Sequence, residues 1–208
     1  MIARTLLLLS LLSLTRVSAA DLFNGRDLKG WELITLPTTP ASIKTVCHYN
    51  ADGSLAVAGQ PVCYLATTEA YENYTLHAEW RWTDKPGNSG ILLHIASGPK
   101  DRAWPLCLQV QTKNKSVGDL IPMAGASFDE PLDPAVKVPA RAHTATDSEK
   151  PVGDWNGCDI VCRDGTISVS VNGVLQNKIS RATPHSGRIG FQLEGIPFEL
   201  RSVRLTPL

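Results

Sequence analysis

The chain carries no net formal charge, with 20 lysines and arginines against 20 aspartates and glutamates. It therefore offers no basic field to attract a nucleic acid or an anionic lipid surface. It lacks any apolar run of the roughly 20 residues that a membrane helix needs. The longest such run, Leu6 to Leu14, is short and lies at the start of the chain. Helical periodicity is nearly absent after it. Also missing are a phosphate-cradling glycine loop, a His-Glu-x-x-His pair and a Gly-x-Ser-x-Gly elbow, so no short motif names a reaction, a metal or a cofactor.

What the first residues contain points to export. Arg4, the Leu6 to Leu14 run and the small residues Val17, Ser18, Ala19 and Ala20 have the order of a secretory signal over residues 1–20, with the mature chain starting near Asp21. The first cysteine is Cys47, too far on for a lipid-modified N-terminus. Loss of Arg4 and Arg16 leaves the mature chain slightly acidic. A secreted or periplasmic protein with a neutral partner and no membrane insertion is expected. About 190 residues, 21–208, fit one domain.

Five cysteines in an exported chain suggest up to two disulfides and one spare thiol. Cys47 and Cys63 flank a hairpin-like stretch and form the expected pair. Cys158 and Cys162 lie on one strand with Cα atoms roughly 13 Å apart, too far to bond each other, but either could reach Cys107. No histidine stands at zinc-ligand spacing beside them, so no metal site is expected.

Closely spaced glycines and prolines between short apolar segments predict an all-β domain. From Tyr74 to Trp82 the alternation is strict: Leu76, Ala78, Trp80 and Trp82 face a core, and Thr75, His77, Glu79 and Arg81 face away. Thr166 to Val171, followed by Asn172-Gly173 and Val174 to Ile179, reads as a hairpin with a type I′ turn. Arg188 to Glu194 alternates again, with Ile189, Phe191 and Leu193 inward. Phe198 to Leu205 closes the chain, with a slip in alternation near Ser202. Ile91 to Ile95, Leu106 to Gln111 and Asp159 to Cys162 are further short strands of a two-layer sandwich. Residues 112–150 lack periodicity and read as long loops over one sheet face, where function often resides.

Strand parity supplies the candidate site residues. Glu79 and Arg81 share one face and could act as base and anion clamp, or form an ordinary solvated ion pair. Gln109 and Gln111 share another and could bind sugar hydroxyls in both senses, as could Gln192 beside Glu194. His94 ends a strand and is either a proton shuttle or a structural histidine. Asp119 opens the long loops as a functional carboxylate or a turn cap. Trp80 and Trp82 belong to the core, leaving Trp104 and Trp155 as the indoles free to stack on a sugar ring.

A series of blocks then identifies a resemblance. Leu22-Phe23-Asn24-Gly25-Arg26-Asp27-Leu28-Lys29-Gly30-Trp31 resembles the opening signature of the 3-keto-disaccharide hydrolase domain family. Gly87-Asn88-Ser89-Gly90-Ile91, Trp104-Pro105-Leu106-Cys107 leading to Gln109-x-Gln111, Gly118-Asp119, Glu149-Lys150-Pro151, Trp155-Asn156, Val171-Asn172-Gly173-Val174 and Gly187-x-Ile189-Gly190-Phe191-Gln192-x-Glu194-Gly195 follow in the family's order. The resemblance spans essentially the whole mature chain. It implies a concanavalin-like jelly roll of two antiparallel sheets, and cleavage of glycosides whose sugar bears a ketone at carbon 3.

Carried over position by position, the resemblance gives Glu79 as base, Arg81 as enolate clamp, and Asp119 or Glu194 as acid. His94, Gln109, Gln111, Lys150, Trp155 and Gln192 become substrate contacts. No cofactor is implied. The family usually presents Glu-x-Gln where this chain has Gln109-x-Gln111, and an amide cannot take up a proton. Two other functions fit the same fold: a carbohydrate-binding module without catalysis, and an adhesive surface domain.

Overall fold

The structure is a computed structural model and describes residues 18–208. The expected signal run, Leu6 to Leu14, lies outside the described residues. In chain order the elements are β1 (Ala20–Asp21), β2 (Trp31–Ile34), a one-turn helix α1 (Ile43–Val46), β3 (Cys47–Tyr49), β4 (Leu55–Val57), β5 (Cys63–Tyr71), β6 (Tyr74–Trp82) and β7 (Gly90–Ile95). Then come β8 (Pro99–Asp101), β9 (Trp104–Pro105), β10 (Cys107–Gln111), β11 (Leu120–Met123), β12 (Asn156–Arg163), β13 (Thr166–Val171), β14 (Val174–Ile179), β15 (Gly187–Leu193) and β16 (Phe198–Pro207).

Two antiparallel sheets make the fold. One runs β14-β13-β12-β6-β16-β4-β3, with β1 added on β16; the other runs β11-β10-β7-β15-β5-β2. All ladders within them are antiparallel, as in a concanavalin-like jelly roll. The alternation of β6 is realised residue by residue, with Tyr74, Leu76, Ala78, Trp80 and Trp82 buried and the residues between them only partly so. These pack against Ile91, Leu93, Leu108, Val110, Ile189, Phe191 and Leu193 of the facing sheet. Burial of such apolar surface is what holds the layers together. The β13–β14 hairpin turns at Asn172 (φ 50°) and Gly173 (φ 83°), both left-handed, as a type I′ turn requires. The slip in the last strand is a register shift between Arg201 and Arg204, with Ser202 at φ 51°.

The disulfide expectation is corrected: all five cysteines are free and buried. Cys107 faces away from the interlayer core, packed with Tyr64, Ala66, Leu92 and Ile95, whereas Cys158 and Cys162 belong to the interlayer core. Those thiols sit on different faces and cannot meet. Cys47 and Cys63 belong to opposite sheets. Both lie in the interlayer core, near enough for a charge on Cys63 to disfavour one on Cys47, yet the two are not bonded. Burial pushes the Cys47 thiol up to about 12 and that of Cys63 to about 11, so neither is reactive near neutrality.

Alkylation without reductant is therefore expected to label five thiols after unfolding and almost none before. Reductant should leave the melting temperature unchanged. A drop of several degrees with reductant would show a disulfide in the native chain.

Candidate functional site

The outward face of the six-stranded sheet carries a row of amides and one carboxylate. Gln109 and Gln111 project from β10, Gln192 from β15, and Glu194 lies just beyond β15. Register puts Gln111 opposite Gly90 and Gln109 opposite Leu92, so the two glutamines flank the bare position at Gly90. A Cβ at Gly90 would come within 2.6 Å of the Gln109 side chain. Glycine there lets Gln109 lie flat across β7 and reach β15.

From that position Gln109 Nε2 donates to Gln111 Oε1 and to Gln192 Oε1, each at 3.0 Å. Gln192 Nε2 passes the chain on to Glu194 Oε2 at 2.6 Å, and Asn88 Nδ2 donates to the same oxygen at 2.8 Å. Gln109 and Gln192 are buried although they face away from the core, because loops cover this face. Gln109 Oε1 and Asn88 Oδ1 are buried without a partner. Such atoms are costly unless something completes them.

This row lines a cleft of about 540 Å³, the size of a small-molecule site. Asn88, Arg102, Trp104, Lys113 and Asp119 also line it. Burial raises the Glu194 carboxyl above its ordinary range, against the pull of Arg102 and Lys113. Asp119 enters from the turn before β11, where Gly118 (φ 88°) sits too close to Gln176 for any side chain. One Asp119 oxygen accepts from the His143 backbone N–H at 2.7 Å and lies 2.6 Å from His143 Nδ1. A bridge between Leu120 and Arg141 brings that histidine alongside.

Five of the sequence-predicted residues lie elsewhere. Glu79 and Arg81 are on the outer face of the eight-stranded sheet, across the core from the cleft. Arg201 Nε donates to Glu79 at 2.5 Å, and Arg81 Nε to Glu199 at 2.6 Å. Burial opposes ionisation of Glu79, but the Arg201 bond and charge outweigh it and hold the carboxyl below its usual range. That is the opposite of what a base for carbon needs. Trp155 lies under both guanidiniums, 4.6 Å from Arg81 Cζ and 4.1 Å from Arg201 Cζ, so its ring is occupied. Lys150 donates to the Trp155 carbonyl at 3.0 Å.

His94 is also absent from the cleft. At φ 56° it bulges out of the strand, its Nδ1 donates to the Pro184 carbonyl at 3.1 Å, and its ring meets Tyr74 edge-on. Burial drives its pKa down to about 4. Conversely, Asn88, Arg102, Lys113 and His143 belong to the site although parity did not single them out. Asn88 carried a signal in the Gly87-Asn88-Ser89-Gly90 block; the other three lie in loops without periodicity. Among the described residues no group of three His, Cys, Asp or Glu side chains is arranged to hold a metal ion. No helix among them is long and apolar enough to cross a membrane.

The model of the 3-keto-alpha-glucoside-1,2-lyase-like domain matches residues 18–206. The chain belongs to that family. Its fold is shared with a candidate glycosyl hydrolase from Parabacteroides distasonis, at TM-score 0.69 and 21% identity over 91% of this chain and 94% of that one. A carbohydrate-binding module from Bacillus subtilis follows at TM-score 0.57 and 11% identity, covering 84% and 94%. A non-specific endo-beta-1,3(4)-glucanase gives TM-score 0.60 and 12% identity, covering 91% and 89%. At such identities the likeness carries the fold alone. No curated protein matches the chain. Family membership makes this a carbohydrate-active domain.

Two outcomes follow from the placement of Glu79 and His94. Glu79→Gln is expected to change stability by less than about 1 kcal/mol, as for partly exposed ion pairs, and to leave sugar binding in the cleft unchanged by calorimetry. The second concerns pH. His94 is neutral in the fold, with a pKa of about 4 against an ordinary 6.5, so the unfolded chain takes up a proton first as pH falls. Stability present above pH 6.5 is lost progressively towards pH 4, by about 3 kcal/mol. Urea midpoints of His94→Gln should be flatter across that window; an unchanged acid limb would contradict the assignment.

Proposed function

We propose that the protein cleaves 3-keto-glycosides in the cleft on its six-stranded sheet. The observation that carries the reading is the continuous hydrogen-bonded row Gln111, Gln109, Gln192 and Glu194, which shares one cleft with Asp119 and two cations. The ketone at carbon 3 acidifies the hydrogen on carbon 2. Asp119, steadied by His143, takes that proton, and the electron pair moves onto the ketone oxygen as an enolate. Lys113 and Arg102 stabilise this charge.

The enolate then re-forms the ketone and pushes its pair into a carbon 1–carbon 2 double bond as the carbon 1–oxygen bond breaks. Glu194, with its raised pKa, gives its proton to the departing oxygen. Water adds at carbon 1 and a proton at carbon 2, leaving a 3-keto sugar and a free alcohol. The amides at 109, 111 and 192 hold the hydroxyls. Glutamine at 109 is compatible with this division of labour, because two other carboxyls carry the protons. Its amide also turns the Gln192 Nε2 towards Glu194, as a carboxylate at 109 could not.

The reading includes export. β1 takes up the chain at Ala20, pairing Ala20 with Leu205 and Asp21 with Arg204, so a mature chain starting near Asp21 keeps every later element. A carbohydrate-binding module is the second reading, favoured by Gln109 standing where relatives carry glutamate.

Release of alcohol from a methyl 3-keto-glucoside separates the two. Turnover by the natural chain is expected, and Glu194→Gln should lower kcat by about 10²–10⁴-fold with sugar binding retained. Because Glu194 acts as an acid, kcat should fall as pH rises through its raised pKa, and this limb should vanish in the variant. Sugar binding with no turnover would leave the module reading.

A further inference from the structure

The cleft is chemically divided, and the division has a direction. Its polar lining comes from the start of β7, from β10 and from the end of β15. Beyond β10 the lining is mostly apolar: Ile121, Pro122 and Met123 of the edge strand β11 and Val136 and Val138 of the following loop line it, with Lys137 between the valines, and Trp104 of β9 lines the cleft beside Arg102. Val136 and Val138 are 39% and 57% exposed. Asp119 stands at the junction, one residue before β11.

We infer that the leaving group of the substrate is an apolar aglycone, not a second sugar. The inference rests on the function proposed above and adds the chemistry of the group that is cleaved off. A sugar ring on the amide row faces side chains that donate and accept hydrogen bonds. Its carbon 1 substituent, directed past Asp119, meets aliphatic and indole surface instead. A second sugar there would strip water from its hydroxyls without replacing the lost bonds, a penalty of the kind a hydrophobic pocket imposes on polar groups. A planar or alicyclic hydrocarbon group would bury the exposed valines and cover the Trp104 face. The volume of about 540 Å³ leaves room for such a group beside one sugar ring.

The test compares three 3-keto-glucosides of one anomeric configuration, bearing on the carbon 1 oxygen a methyl group, a cyclohexylmethyl group, or a glucosyl group joined through its carbon 6. All three leave as alkanols, so intrinsic leaving ability does not sort them as a phenol would. The cyclohexylmethyl compound is expected to show kcat/KM at least about 10-fold above the glucosyl compound. The double substitution Val136→Ser with Val138→Ser should shrink the cyclohexylmethyl-to-methyl ratio.

A glucosyl compound cleaved as well as, or better than, the cyclohexylmethyl one would overturn the inference while leaving the lyase reading intact. Should none be cleaved, the lyase reading fails. Calorimetric Kd values for the same three compounds then decide the aglycone question: tighter binding of the cyclohexylmethyl compound supports it and equal binding overturns it.

Discussion

Everything at the cleft depends on one close approach, that of the Gln109 side chain to the bare backbone of Gly90. Because position 90 has no Cβ, the amide crosses β7 and joins β10 to β15 through hydrogen bonds of 3.0 Å on both sides. Without that crossing, Gln111, Gln192 and Glu194 would be separate polar groups on a covered sheet face. With it they form one polarised chain that ends on a carboxylate whose proton affinity is raised by burial. A fold that serves many functions acquires its particular chemistry here through the omission of a methyl group.

The opposite face shows what the same residue types do without such a crossing. Glu79, Arg81, Glu199 and Arg201 lie on adjacent strands and neutralise one another in pairs, with Trp155 beneath the two guanidiniums. Each of these four charges has a partner. The two faces divide the work, one as an ion-paired exterior and the other as a covered cleft.

Much of this was legible from alternation. The burial of β6, the Asn172-Gly173 turn, the slip at Ser202 and the pairing of Gln109 with Gln111 all follow from a period of two and from local turn chemistry. Parity says only that a side chain points away from the core; it does not say into which of two outer faces. Glu79 and Gln109 therefore gave the same signal, although one sits on the exposed sheet and the other beneath loops. The cysteines failed for the same reason, since spacing permitted pairings that the layer assignment of Cys107 forbids. His143, Arg102 and Lys113 were illegible because they come from irregular segments, and their place is set by long-range pairing such as the Leu120–Arg141 bridge.

The most direct test is a crystal structure of Glu194→Gln with methyl 3-keto-glucoside bound. Density for the sugar ring is expected over Gln109, Gln111 and Gln192, with carbon 1 turned towards Asp119. A ring found instead against Trp155, on the face of Glu79 and Arg81, would contradict the account.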